Sequence, residues 1–222
     1  MIRTVIFDMD GVVIDTEPIH HNAFFTHFAE LGIQVPAELY ATFLGSSTRN
    51  MYQRIKREFG LSDDVELLMN RKRELFNKEF DENQTLDLLP GVRHLIEDLH
   101  EHGVQLVLAS SASKATIKRV FTRFELYPYF SHLVSGEDFT ESKPNPEIFN
   151  HAADLAQTPK NECIIIEDST NGIAAAKAAG IYCIGYASEH SAMQDLHLAS
   201  QVIKHFDELS AEKIIAITPA GV

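Results

Sequence analysis

Residues 5–13 read Val5-Ile6-Phe7-Asp8-Met9-Asp10-Gly11-Val12-Val13. An apolar run rich in β-branched residues ends in two carboxylates spaced i, i+2, and a glycine then lets the chain turn. On a strand, positions i and i+2 face the same side, so Asp8 and Asp10 crowd one spot at the strand's carboxyl end. Two like charges that close repel unless a cation or a shared proton relieves them. The carboxyl ends of strands in parallel α/β sheets are also where ligands bind. Read alone, the segment fits a strand with an Asp-rich turn equally well.

Further strand-like runs set this one in a fold. They lie at 3–7, 104–109, 132–134, 163–166, 182–185 and 201–203, with helical patterns at 114–124, 147–156, 172–179 and 192–198. Alternating strand and helix predicts an α/β fold, a parallel sheet with helices on both faces. One stretch breaks the alternation. From 16 to 86 there is helical periodicity and no convincing strand, with Phe24, Phe25, Phe28 and Leu31 on one face. Gly32, Gly45 and Gly60 divide it into three or four helices. A helical insertion at the carboxyl edge of a sheet is placed to cover a site there, or serves only as a structural layer.

Composition narrows the function. The chain has 222 residues, 45% hydrophobic and 23% charged, a globular balance. A net charge of −13 disfavours nucleic acid, whose phosphates need Lys and Arg. It leaves room for a small anionic substrate, because a local cation overrides net charge. There is no apolar run of membrane-spanning length. The first strand begins almost at residue 1, which leaves no space for a signal peptide. The two cysteines, Cys163 and Cys183, fall in expected buried strands and read as core thiols of a cytoplasmic protein.

Three further polar segments end expected strands or open the next helix. Ser110-Ser111-Ala112-Ser113-Lys114 offers hydroxyls and amides to phosphate, or simply caps a helix. In Ser142-Lys143-Pro144-Asn145-Pro146, an ammonium precedes a helix. Glu167-Asp168-Ser169 places two acids after a fully apolar run, where an N-cap with a first-turn acid is the plain alternative. Together these segments supply carboxylates, a hydroxyl and amide nest, and a lysine at one sheet edge. Hard oxygen ligands suit Mg²⁺. An aspartate nucleophile, a metal and a lysine are parts for phosphoryl transfer.

With these segments in order, the chain resembles the haloacid dehalogenase-like hydrolase superfamily, and within it the beta-phosphoglucomutase-like branch. The resemblance covers essentially the whole chain. It implies a Rossmann-like core at 1–15 and 87–222 and an all-helical cap at 16–86. It implies that Asp8 is the nucleophile and Asp10 the general acid/base, whose backbone carbonyl also ligates the metal. Ser111, the amide of Ala112, and Lys143 would stabilise the transferring phosphoryl group. Asp8, Asp10, Glu167 and Asp168 would hold Mg²⁺. Dehalogenases of the superfamily lack the second aspartate, which is present here as Asp10.

Substrate choice is read from the departures. The mutases carry a cap-hinge histidine, matched by His20, and Ser-x-Ser-Lys, matched by Ser111, Ser113 and Lys114. Their Lys-Gly-x-x-Arg cap loop is only partly matched: Leu44 replaces the lysine, and Arg49 lies one residue further from Gly45. A mutase must hold a bisphosphate at either end, whereas a phosphatase need not. The expectation is therefore a monomeric, Mg²⁺-dependent phosphatase of small phosphorylated metabolites, sugar phosphates foremost, with a beta-phosphoglucomutase as runner-up. A receiver-like signalling protein is the rival of another class. Receivers are about half this length, have no helical insert and lack an acid at the place of Asp10.

Overall fold

The computed structural model describes residues 1–188 and 193–219. Six strands form one parallel sheet: β1 (Thr4–Phe7), β2 (Gln105–Ser110), β3 (Phe130–Ser135), β4 (Cys163–Glu167), β5 (Tyr182–Tyr186) and β6 (Gln201–Ile203). Their order is β3-β2-β1-β4-β5-β6. The chain winds outward from the centre in both directions, so the crevice between the carboxyl ends of β1 and β4 is a topological switch point. Register fixes that crevice: Phe7 pairs with Leu108 on one side and Ile166 on the other.

The sheet is covered on both faces, and its side chains alternate between two apolar cores. Val5, Phe7, Leu106, Leu108, Ile164 and Ile166 enter one. Ile6, Val107, Ala109 and Ile165 enter the other. A strand buried on both faces must be apolar at every position, which is why β4 reads Cys-Ile-Ile-Ile before its terminal acid. Cys163 and Cys183 are buried free thiols of the second core.

Four helices follow β1: α1 (Glu17–Glu30), α2 (Ala37–Ala41), α3 (Thr48–Phe59) and α4 (Val65–Glu82). They carry a core of their own, centred on Phe24, Phe28, Tyr52 and Ile55. The chain segments that lead into and out of this cap touch, through a bridge between Ile14 and Leu88 and a bond from Leu89 N–H to Val13 O. Then come α5 (Val92–Glu101), α6 (Lys114–Arg123), α7 (Glu147–Leu155), α8 (Thr170–Ala179) and α9 (Ala211–Ala216).

One expected element is absent. The helix expected at 192–198 is not formed over 193–198, which are turns and bends; residue 192 lies outside the described residues. The segment holds Asp195, whose carboxylate accepts the N–H of His197 two residues on. That local bond competes with a helix. Two helices, α5 and α9, stand outside the sequence expectations. No helix among the described residues is long and apolar enough to cross a membrane.

Candidate active site

Strand β1 delivers Asp8 into the crevice one residue after it ends. The Asp8 N–H donates to Ile166 O at 3.0 Å, which ties this residue to β4. Residues 9–14 then fold into a tight turn closed by Val13 N–H to Met9 O at 2.8 Å. Gly11 is required twice over in that turn. Its φ is +81°, and a side chain there would strike the Asp168 carboxylate.

Lys143 lies beneath Asp8. It is 1% exposed and uses all three donors: on Asp8 Oδ1 at 2.5 Å, Glu167 Oε1 at 2.8 Å and Ala109 O at 3.2 Å. Burial alone would lower its pKa; the two carboxylates outweigh it and push the pKa up. For Asp8, burial is the largest influence and raises its pKa. Lys143 opposes this and Glu167 and Asp10 add to it, leaving Asp8 at about 7.

Glu167, expected as a metal ligand, is turned away from the cavity. One oxygen accepts Lys143, and the other accepts the N–H groups of Asp168 and Ser169 and the Ser169 hydroxyl, all at 2.8–2.9 Å. Both oxygens are thus engaged by the lysine and by the loop after β4, and Glu167 supports the two. Asp168 does line the cavity with Asp8 and Asp10. Burial first, then Glu167 and Asp8, hold its pKa well above the ordinary carboxylate range.

Asp10 belongs to a second network that reaches into the cap. Thr16 sits at the N-cap of α1, yet its hydroxyl makes no capping bond; it donates to Asp10 Oδ1 instead. His20 Nε2 lies 3.4 Å from the same oxygen. His20 Nδ1 meets Lys72 Nζ at 2.5 Å, and Lys72 also lies over the rings of Phe24 and Phe76. Burial and Lys72 lower the pKa of His20. A neutral imidazole fits, with Nδ1 accepting from the ammonium and the Nε2 proton facing Asp10. Burial opposes ionisation of Asp10, but His20 and Thr16 outweigh it and hold its pKa below the ordinary value. Lys72 itself is brought down to about 7 by burial. Glu17, in the same cavity, is pushed up to about 8 by burial and by Asp10.

Ser111 and Ala112 line the cavity too. The Ser111 hydroxyl donates to Gly45 O at 2.7 Å, and the Ala112 N–H is held by Ser110 Oγ at 3.0 Å. Ser113 is the N-cap of α6 and accepts from Thr116 N–H. Lys114 and Arg49 do not reach the catalytic cavity. Lys114 turns outward to Asp138 at 2.5 Å. Arg49 pairs with Glu66 on the wall of an adjoining cavity that also holds Met69, Phe76 and Phe139. In both cases a local carboxylate captures an exposed cation.

Sequence reasoning missed Thr16, Glu17 and Lys72 as site residues. A signal existed for Lys72. The buried positions of α4 are 68, 69, 72, 76 and 80, so a lysine stands on the apolar stripe of an amphipathic helix. It was hidden in the basic run Arg71-Lys72-Arg73, which looks like a solvated face.

Comparison with known proteins agrees with this geometry. A phosphorylated carbohydrates phosphatase of Thermotoga maritima is 30% identical over 193 residues, 85% of this chain and 86% of that protein. A CbbY variant from Rhodobacter sphaeroides, solved in complex with xylulose-(1,5)bisphosphate, aligns with a TM-score of 0.85 at 25% identity, over 98% of this chain and 100% of that one. A beta-phosphoglucomutase from Clostridium difficile aligns with a TM-score of 0.84 at 26% identity, over 96% of each chain. The family model for haloacid dehalogenase-like hydrolases matches residues 5–186. That span runs from β1 through the cap to the end of β5 and takes in every side chain of the site described above, so the chain belongs to the haloacid dehalogenase-like hydrolase family.

Proposed function

We propose that this hydrolase is a phosphatase of monophosphorylated sugars that works through an aspartyl-phosphate on Asp8. The observation that carries the reading is the buried Asp8 carboxylate, held by Lys143 at 2.5 Å in a cavity shared with Asp10 and Asp168. Asp8 attacks phosphorus and the ester oxygen departs. Lys143 keeps Asp8 oriented and balances charge gathering on the phosphoryl oxygens. Ser111 turns its hydroxyl from Gly45 to one of them. Asp10 protonates the departing oxygen and then takes the proton of the water that cleaves the aspartyl-phosphate. His20 and Thr16 favour the ionised Asp10 of the second step. A phosphate dianion arriving beside it favours the protonated form needed in the first.

A divalent cation fits the cavity. Asp8, Asp10, Glu17, Glu167 and Asp168 outnumber Lys143 and Lys72. The Asp168 carboxylate accepts no protein hydrogen bond among the described residues. No three side chains already converge as a metal cluster among those residues, so the Asp10 carbonyl and waters would complete a shell begun by Asp8 and Asp168. Mg²⁺, the family's usual ion, would supply Lewis-acid stabilisation of the phosphoryl oxygens.

The preference for one phosphate rests on the leaving-group side. Glu17, Tyr40 and Phe24 line it. An ionised carboxylate accepts hydrogen bonds from sugar hydroxyls and repels a second phosphate. The catalytic cavity, about 70 Å³, takes the phosphoryl group and the part of the sugar next to it, and the adjoining one, about 190 Å³, which shares His20, Thr48, Ser111 and Ala112 with it, takes the rest of the sugar. Beta-phosphoglucomutase activity is the second reading, favoured by the His20 contact with Asp10. Phosphate release from a panel of sugar phosphates, xylulose-1,5-bisphosphate included, tests both. Release from monophosphates supports the proposal. Glucose 6-phosphate formed from beta-glucose 1-phosphate without free phosphate supports the mutase, and neither phosphate release nor glucose 6-phosphate formation refutes both.

A further inference from the structure

At one rim the cap meets the core through its backbone, while elsewhere side chains meet, as in Asn50 Nδ2 to Ser142 Oγ at 2.8 Å and Arg73 to Glu137 at 2.9 Å. Asn171, in the first turn of α8, donates Nδ2 to Leu44 O at 2.7 Å and to Thr42 O at 3.2 Å. Gln194 donates Nε2 to Ala41 O at 3.3 Å, while its Oε1 accepts the Thr170 N–H at 2.8 Å. These three carbonyls end α2 and begin the turn after it, where a helix leaves its acceptors without internal partners. Among the described residues no backbone N–H bonds any of them. Gly45, next in line, has a φ of +78°, and a side chain there would collide with Ser169 Oγ and come within 3.3 Å of Asn171 Cβ. The side chains of the same turn do something else: Phe43 and Leu44 line the catalytic cavity.

We propose that Asn171 and Gln194 form a carboxamide clamp that holds the cap closed chiefly through cap backbone, with one longer contact from Asn171 Nδ2 to Ser46 Oγ at 3.5 Å, so that closure depends little on the side chains that choose the substrate. A primary amide suits this task. Its NH₂ group has two donors and reaches two carbonyls at once from Asn171. A carboxylate of the same shape could only accept and would set oxygen against oxygen. Asn171 does not line the catalytic cavity and touches no residue assigned a chemical step, so it is a positioning residue; Gln194 borders the cavity as well as the cap. Lys72 and His20 hold Asp10 from within the cap, whereas the clamp holds the opposite rim.

The test uses the full chain with spin labels at Leu67→Cys in the cap and Leu155→Cys in the core, both exposed positions. The native cysteines are buried and stay unlabelled. The label-to-label distance is measured with Mg²⁺ and inorganic phosphate present. A single narrow distribution is expected for the parent, and a second, longer population for Asn171→Asp and for Gln194→Glu. Unchanged distributions in both variants would overturn the clamp. This arm is independent of the proposed activity. A second arm rests on that activity: Asn171→Asp should lower kcat/KM about tenfold by a similar factor for every sugar phosphate used. Phe43→Ala should reorder those substrates while leaving the distance distribution as in the parent. A loss in Asn171→Asp confined to one substrate would mean that Asn171 contacts substrate, and would also overturn the proposal.

Discussion

Replacing Asp8 with asparagine probes the electrostatics of the site without any substrate. Burial, reinforced by Glu167 and Asp10 and opposed by Lys143, moves the Asp8 pKa from 3.8 to about 7. At about 1.36 kcal/mol per pKa unit, that gap is worth about 4 kcal/mol. The unfolded chain ionises Asp8 near its ordinary pKa, while the folded chain keeps the proton until about pH 7. Folding therefore costs nothing extra at low pH. Stability is lost as pH rises through that window, and the full penalty stands above it. Asparagine mimics the protonated carboxyl at every pH. In chelator, Asp8→Asn should match the wild type near pH 4 and exceed it by about 2–4 kcal/mol near pH 8. Urea unfolding across that range reads the difference. Added Mg²⁺ should shrink it by stabilising the wild type alone. A gain that is flat with pH, or a loss near pH 8, would refute the reasoning. The same variant should release no phosphate, since an amide is not a nucleophile.

Lys143→Met leaves Asp8 and Glu167 buried without their shared cation and should cost about 3–5 kcal/mol of stability, read by urea unfolding. Its kcat should fall about a thousandfold or more. Arg49→Ala and Lys114→Ala should each change kcat/KM for a sugar monophosphate by less than about threefold, because both cations are spent on exposed carboxylates; a larger drop, or activation of the parent by glucose 1,6-bisphosphate, would revive the mutase. Ca²⁺ should inhibit in competition with Mg²⁺, since it takes more ligands at longer distances and would draw both oxygens of Asp8; equal rates with either ion would contradict the metal assignment. If Glu17 binds sugar hydroxyls as a carboxylate, kcat/KM should rise with pH through about 8, and that limb should vanish in Glu17→Gln.

The central strands were legible because buried parallel strands leave little choice of residue. The runs at 5–7 and 163–166 carry apolar side chains to both faces, and their terminal acids mark the carboxyl edge. Asp8, Lys143 and Asp168 followed from that placement, and the structure brings them together. The short helix α2 and the turn after it could not be read so. Their partners, Asn171 and Gln194, lie more than a hundred residues away and bind backbone, which leaves no mark on the cap sequence. Glu167 was misplaced for a related reason. Which of two adjacent acids faces a cavity depends on which one the lysine captures, a contact 24 residues apart in sequence. Arg49 and Lys114 were drawn away by Glu66 and Asp138, ordinary neighbours on exposed surface. By contrast, Val92, Leu95, Ile96 and Leu99 of α5 follow helical spacing, so that helix was legible in the pattern although the expectation did not include it.

The sheet order also constrains how the chain can reach its native state. Strand β1 is made first, yet its partners are Gln105 in β2 and Cys163 in β4, each in register with Thr4. Those pairings close loops of about 100 and about 160 residues, the kind of contact that slows folding. The cap helices, whose packing of α1 on α4 spans only the inserted segment, can form while β1 still waits. A ribosome-bound chain halted before β2 would therefore show a folded helical domain beside an unpaired apolar strand. That strand has two open edges, the condition that favours aggregation. The segment that leads into Asp8 is thus the one most dependent on late-synthesised sequence.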